Sequence, residues 1–189
     1  MGIGNWECDS DVISVDDERT LLTLARRALE ARVRRERPPR ADCAGALAEP
    51  CAAFVSIHHR GTLRGCLGHL RHEMPLGQLV VELAGEVADS DPRFEPVSAI
   101  ELGGLQIEIS VLTPAHEIRS VDEIEIGRHG LIVEDGPRRG LLLPQVAVEH
   151  RWTRGELVEH TCRKAGLPPD AWTRGARVLA FEAHVFGEP

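Results

Sequence analysis

Residues 63–68, with the sequence LRGCLG, place an arginine and a cysteine two positions apart among glycines. If this segment is a β-strand, Arg64 and Cys66 share one face, because side chains alternate between the two faces of a strand. A cation beside a thiol favours the thiolate, the form of cysteine that acts as a nucleophile or redox centre. Gly65 and Gly68 weaken a strand and are usually tolerated where another group approaches closely. We interpret Cys66 and Arg64 as candidate catalytic residues, with both glycines as candidate binding positions.

Three further polar residues are candidates for ligand binding. Asp91 and Arg93 belong to the sequence DPRF, in which the arginine could clamp a carboxylate or phosphate while the aspartate orients it. The alternative is a structural turn, since aspartate before proline readily starts one. Gln145 follows a proline at the end of a run of leucines and carries an amide that could contact a ligand. Cys66 also has a structural alternative, because free cysteines are often small buried residues.

A metal site is the second chemistry that the sequence suggests. Cys66, His69 and His72 have the spacing C-x2-H-x2-H, and His58 and His59 precede them. Thiolate and imidazole are good ligands for zinc, copper or iron, but this spacing matches no standard zinc motif. On a strand, Cys66 and His69 would face opposite ways. We therefore expect solvated histidines, no metal site and no cofactor.

Composition limits the class of protein. The 189 residues suit one domain, and 42% hydrophobic residues can form a core. A net charge of −8 and 4% aromatic residues make nucleic-acid binding an unfavoured function. The sequence has neither an apolar run of about 20 residues nor the basic start and apolar core of a signal peptide, so we expect a cytoplasmic protein without a membrane contact. Five cysteines without a CxxC pair favour free thiols.

Hydrophobic periodicity predicts alternating helices and hairpins. Residues 1–13 are expected to form a loose tail and residues 14–188 a single domain. Without a regular strand–helix repeat, the pattern favours an α+β fold with a mostly antiparallel sheet and flanking helices. The predicted helices begin after Asp16, at Leu76 and after a capping box of Thr153 and Glu156; the predicted strands are 54–57, 63–68, 105–111, 130–134, 140–143 and 177–186.

Seven motifs in a fixed order resemble one known family. They are FVSI at 54–57, LRGCLG at 63–68, DPRF at 91–94, IEISVLT at 107–113, GRHGLIVE at 127–134, LLLPQVAVEHRW at 141–152 and CRKAGLPPDAW at 162–172. Together they resemble the AMME chromosomal region family, with its AMMECR-type domain, over nearly all of residues 14–188. The sequence departs from the family at Leu67, where most members have isoleucine, and in the acidic run 86–90.

The resemblance implies a single α+β domain with a larger and a smaller lobe. Bacterial and archaeal members are similar to protein A of the AmmeMemoRadiSam system, which implies a Memo-like protein and a radical SAM protein as partners. No particular reaction is implied. We therefore carry three hypotheses: a catalytic or ligand-binding component of a modification pathway that acts on an unknown small molecule or protein, a noncatalytic adaptor, and a nucleic-acid-linked regulator.

Overall fold

The computed structural model describes residues 13–70 and 74–189. The predicted tail therefore lies outside the described residues apart from Ile13, and so does His72. The chain divides into two compact units. Among the described residues, one is Thr113–Ala183; the other comprises 13–112 together with His184–Pro189.

Four α-helices and eight β-strands make up the regular structure of the described residues. The helices are α1 Val15–Arg34, α2 Leu76–Glu86, α3 Pro144–Glu149 and α4 Arg154–Lys164. The strands are β1 Ala52–His59, β2 Thr62–His69, β3 Leu105–Leu112, β4 His116–Glu117, β5 Gly130–Asp135, β6 Arg138–Leu142, β7 Arg177–Phe181 and β8 Ala183–Gly187. They form two four-stranded antiparallel sheets, which confirms the predicted α+β class.

The unit that contains the LRGCLG segment has a sheet in the order β2-β1-β3-β8, so that β2 is an edge strand. The predicted turn at Arg60 and Gly61 is confirmed. Both residues have positive φ, 52° and 77°, as a tight hairpin requires. The register between β1 and β2 shifts between Ile57 and His58, which leaves Arg64 without a directly paired residue at a β-bulge.

One hydrophobic core lies between this sheet and the helices α1 and α2. Helix α1 begins at a capping box in which Ser14 and Asp17 satisfy each other's backbone N–H groups. Its buried leucines and alanines pack with Leu79, Val80 and Leu83 of α2 and with Val55 and Ile57 of β1. This packing holds one face of β1 and β2 against the helices and leaves the other face for different contacts.

The second unit, Thr113–Ala183, has its own sheet in the order β4-β7-β5-β6 and its own core. The predicted capping box of Thr153 and Glu156 starts α4, which packs on β5 and β6. Gly140 of β6 lies so close to this helix end that a Cβ would stand 2.4 Å from the backbone nitrogen of Ala165. Glycine is therefore required at this position by packing.

Two sequence expectations are wrong. The single strand predicted over 177–186 is two strands, β7 and β8, which belong to different sheets, because the alternation of residue types does not reveal the change of sheet at Glu182. Cys51 is disulfide-bonded, so the expectation of free thiols fails there, because the absence of a CxxC pair does not exclude a disulfide. Cys43, Cys66 and Cys162 are free.

No helix in the part of the chain that the structure describes has the length and apolar character needed to cross a membrane.

Replacing Gly140 with alanine is expected to lower the free energy of unfolding by about 1–3 kcal/mol, because the backbone at Ala165 must move to admit the methyl group. Gly155→Ala is the matched control, since α4 leaves open space at that position. It should leave stability unchanged or raise it by up to about 1 kcal/mol. Urea denaturation measures both variants, and equal stabilities would contradict the packing argument.

Candidate functional site

Cys66 lies in the middle of β2, and its backbone N–H donates to Oδ2 of Asp91 at 2.9 Å. An edge strand exposes N–H groups that no neighbouring strand can accept. Asp91 follows helix α2 and is only 5% exposed. Its carboxylate therefore takes the place of a missing strand at Cys66 and ties the DPRF loop to β2.

Asp91 is also the anchor of Arg93. Its Oδ1 accepts from the backbone nitrogen of Arg93 at 3.1 Å and from Nε at 3.0 Å, and its Oδ2 accepts from Nη2 at 2.7 Å. The hydrogen bonds from the Arg93 side chain, with those from the N–H groups of Cys66 and Arg93, hold the pKa of Asp91 well below its usual range. The two sequence interpretations of DPRF are therefore compatible, because the turn itself positions the arginine.

Arg93 is held near Cys66 by Asp91, which accepts hydrogen bonds from both residues. Its side chain is 56% exposed, and its guanidinium carbon lies 5.4 Å from the centre of the Phe94 ring. The pKa of Arg93 is raised mainly by its hydrogen bonds to Asp91, with a smaller contribution from the charge of Cys66. Because Asp91 Oδ2 accepts from both the Cys66 N–H and Arg93 Nη2, the guanidinium lies close to Cys66.

Arg64, which the sequence paired with the thiol, has other partners. Its Nε donates to Glu101 Oε1 at 2.9 Å, and its Nη2 donates to the carbonyl of Pro96 at 3.4 Å. The Arg64 and Glu101 side chains are 18% and 26% exposed, and Ser98 also donates to Glu101 through its N–H and hydroxyl at 2.8 Å. These contacts lower the pKa of Glu101 to about 2, and the hydrogen bond from Arg64 contributes most. Arg64 therefore anchors the loop between α2 and β3 to the edge strand.

The two glycines of the motif are explained by packing within the protein. A Cβ at Gly65 would lie 3.1 Å from Cγ2 and 3.2 Å from the carbonyl oxygen of Val87. A Cβ at Gly68 would lie 2.1 Å from Cδ1 of Phe54, which is paired with Gly68 across β1 and β2. Close approach is thus the reason for both glycines, and the approaching groups are Val87 and the Phe54 ring.

Two polar residues on the same face of the sheet as Cys66 were not among the candidates predicted from the sequence. Ser56 is paired with Cys66 of β2 on one side and with Glu108 of β3 on the other. Directly opposed residues have Cβ atoms about 4.5–5.5 Å apart and share a face of the sheet. Thiol, hydroxyl and carboxylate therefore stand in one row across three strands, all half-buried. The alternation of polar residues in β1 and β3 indicates that Ser56 and Glu108 lie on the polar face of each strand. Only the strand register shows that they form a row with Cys66.

The remaining candidates do not belong to this row. Gln145 is half-buried at the start of α3, in the other unit from Cys66, and forms no hydrogen bond with a described residue. His58 and His59 end β1, and His69 ends β2. No group of possible metal ligands among the described residues contains Cys66.

Comparisons with known proteins agree with this architecture. The sequence matches the AMMECR1 family over residues 22–186. The chain belongs to this family.

Its relatives include proteins of several archaea. A protein of Methanosarcina acetivorans is 39% identical and one of Methanothermobacter thermautotrophicus is 41% identical. The first alignment covers 94% of both chains, and the second covers 93% of this chain and 96% of the relative. The crystal structure of an uncharacterised protein from Pyrococcus horikoshii is similar, with a TM-score of 0.82, 40% identity and 89% of each chain covered.

The ion pair of Glu101 with Arg64 gives a pH-dependent prediction. Because folding lowers the pKa of Glu101 from 4.5 to about 2, its contribution to stability is fully present above about pH 4.5 and is lost as the pH falls towards 2. Glu101→Gln should therefore reduce the free energy of unfolding by roughly 1–2 kcal/mol at pH 7. The difference from the unsubstituted protein should shrink in acid, where protonated Glu101 resembles glutamine.

Denaturant titrations between pH 2.5 and 7 measure this effect. Glu36→Gln is the control, since Glu36 is exposed and makes no side-chain hydrogen bond or ion pair with a described residue. A deficit of Glu101→Gln that stays constant across the pH range would contradict the ion-pair interpretation.

Thiol labelling separates Cys66 from the other free cysteines. Cys162 is fully buried, and burial raises the pKa of its thiol, whereas Cys66 is half-buried beside Arg93. We expect limiting iodoacetamide at neutral pH to modify Cys66 before Cys162. Arg93→Gln should slow labelling of Cys66 roughly two- to tenfold through loss of the cation.

Peptide mapping by mass spectrometry reads both rates. Arg93→Lys retains the charge and should label nearly as fast as the unsubstituted protein, and exposed Arg27→Gln serves as a control for the change of net charge. Equal rates at Cys66 in Arg93→Gln and Arg27→Gln would show that Arg93 does not act on the thiol.

Proposed function

We propose that this chain is the AMMECR-type component of an AmmeMemoRadiSam modification system, and that Cys66 is the reactive or ligand-binding group of its site. A Memo-like protein and a radical SAM protein are the proposed partners, and the substrate is a small molecule or a protein. One observation carries the site: the buried Asp91 carboxylate accepts from both the N–H of half-buried Cys66 and the guanidinium of Arg93, and so holds a cation near the thiol.

The way Arg93 is held favours an anionic ligand. Its Nε and Nη2 are bound to Asp91, while Nη1 makes no hydrogen bond with a described residue. The guanidinium is therefore fixed on one side and presents N–H donors to solvent on the other. Arginine in this state binds carboxylates and phosphates well.

The row of Cys66, Ser56 and Glu108 adds the polar groups for such a ligand. A thiolate is the nucleophile of the three, and the serine hydroxyl can donate to or accept from a bound polar group. The carboxylate of Glu108 would repel an anion, so an anionic group is expected at the Arg93 end of the site. A ligand with a carboxylate or phosphate next to an electrophilic centre fits this distribution of charge.

A different observation favours the adaptor as the second candidate. Ile100 is 96% exposed and adjoins Glu101, while Leu63 is 37% exposed and adjoins Arg64. The ion pair between Arg64 and Glu101 holds these two segments together. Exposed apolar side chains around a partly buried ion pair are typical of protein contact surfaces. No corresponding feature supports a nucleic-acid-linked regulator, since the net charge is −8.

Partner binding and thiol protection together test the proposal. The protein is titrated with the Memo-like protein from the same genome in a calorimeter, and Cys66 labelling is followed with and without this partner. We expect a saturable complex in which Cys66 is labelled more slowly while the rate at Cys43 is unchanged. Absence of binding at high micromolar concentration would overturn the partnership.

Three variants then separate chemistry from adaptor function. Cys66→Ser should bind the partner as the unsubstituted protein does, and Val148→Asp, which changes an exposed valine of the other unit, is the control for an added acid. Ile100→Asp should also leave binding nearly unchanged if the partner contacts the Cys66 face. Loss of binding in Ile100→Asp, with Cys66 labelling unaffected by the partner, would favour the adaptor and contradict a site at Cys66.

A further inference from the structure

His69, Glu82 and Glu86 bring three metal-ligating groups together. One ligand atom from each side chain lies within 4.8 Å of the other two. Glu82 and Glu86 are four residues apart on α2 and therefore share one face of the helix, and His69 ends β2. His69 and Glu82 are exposed and Glu86 is half-buried. The cluster thus combines two elements and is open to solvent.

The charges of the two glutamates are not balanced by an ion pair among the described residues. Like charges four residues apart on a helix repel, and α2 contains no lysine or arginine. Neither glutamate forms an ion pair or hydrogen bond with a described residue; the guanidinium of Arg32, whose pKa is raised chiefly by Asp89 and slightly by Glu86, is bound to Asp89. A bound cation would relieve the repulsion between Glu82 and Glu86.

We propose that His69, Glu82 and Glu86 form a binding site for a divalent transition-metal ion of the zinc type. One imidazole and two carboxylates are a ligand combination that zinc uses. At bond lengths of about 2.0–2.2 Å, two ligand atoms of one ion are at most about 4.4 Å apart. The flexible glutamate side chains close the remaining difference by small rotations, and water completes the coordination.

This site differs from the one that the sequence suggested. The C-x2-H-x2-H spacing grouped His69 with Cys66 and His72, and no metal site was expected there; the ligands that the fold brings to His69 come from α2. Gly65, two residues before Leu67 and four before His69, approaches Val87 just after α2, so Gly65, Leu67 and His69 lie on the face of β2 towards the helix. Cys66 faces the other way. The ion would therefore join the end of the LRGCLG strand to α2 without using the thiol.

Calorimetric titration of the tag-free, chelator-treated chain with zinc chloride near neutral pH tests the site. We expect one ion per chain with a dissociation constant in the micromolar range and a rise in melting temperature on addition of zinc. His69→Gln, Glu82→Gln and Glu86→Gln should each weaken binding roughly tenfold or more, since each removes one of three ligands.

Two matched controls locate the ion. Glu149→Gln changes an exposed glutamate of the other unit, and Cys66→Ser removes the nearby thiol; both should bind zinc as the unsubstituted chain does. Unchanged affinity in Glu82→Gln and Glu86→Gln, or loss of binding in Cys66→Ser, would overturn the proposal. Melting curves without zinc verify that each variant folds. If His69→Gln does not fold, Glu82→Gln decides the result, because Glu82 is exposed.

Discussion

The hydrogen bond from the Cys66 N–H to the Asp91 carboxylate is the interaction on which the candidate site depends. Burying an ionised carboxylate is costly unless it is paired with a cation and its oxygens accept hydrogen bonds, and Asp91 meets both conditions with a guanidinium and two backbone N–H groups. The same carboxylate closes the open edge of β2. The Asp91 side chain therefore fixes the edge of β2, the DPRF loop and Arg93.

Arg64 and Arg93 have different roles in this arrangement. Arg64 is largely buried against Glu101 and the loop before β3, so its contribution is to hold that loop on the strand. Arg93 is mostly exposed, yet it cannot move far, because Asp91 holds two of its nitrogens. A cation that is both solvent-facing and fixed suits recognition of a ligand better than one enclosed in an ion pair.

Local features of the fold could be predicted from the sequence, whereas long-range ones could not. The capping box at Thr153, the turn at Arg60 and the strand at 105–111 depend on residues a few positions apart. The partner of Arg64 is 37 positions away, and the row through Ser56 depends on a register that no single segment specifies. The division of 177–186 between two sheets was missed for the same reason.

The alternation of side chains along β2 links the candidate site at Cys66 to the proposed metal site at His69. Cys66 and Gly68 lie on the face of the polar row, whereas Gly65 and Leu67 pack towards the core and α2. A one-residue slip of the strand would exchange these faces and would place both glycines away from Val87 and Phe54. The glycines therefore fix the register as well as allow the packing. Because that register also places His69 near α2, a change at Gly65 or Gly68 should disturb thiol and metal site together, while changes at Cys66 or Glu82 affect only one of them.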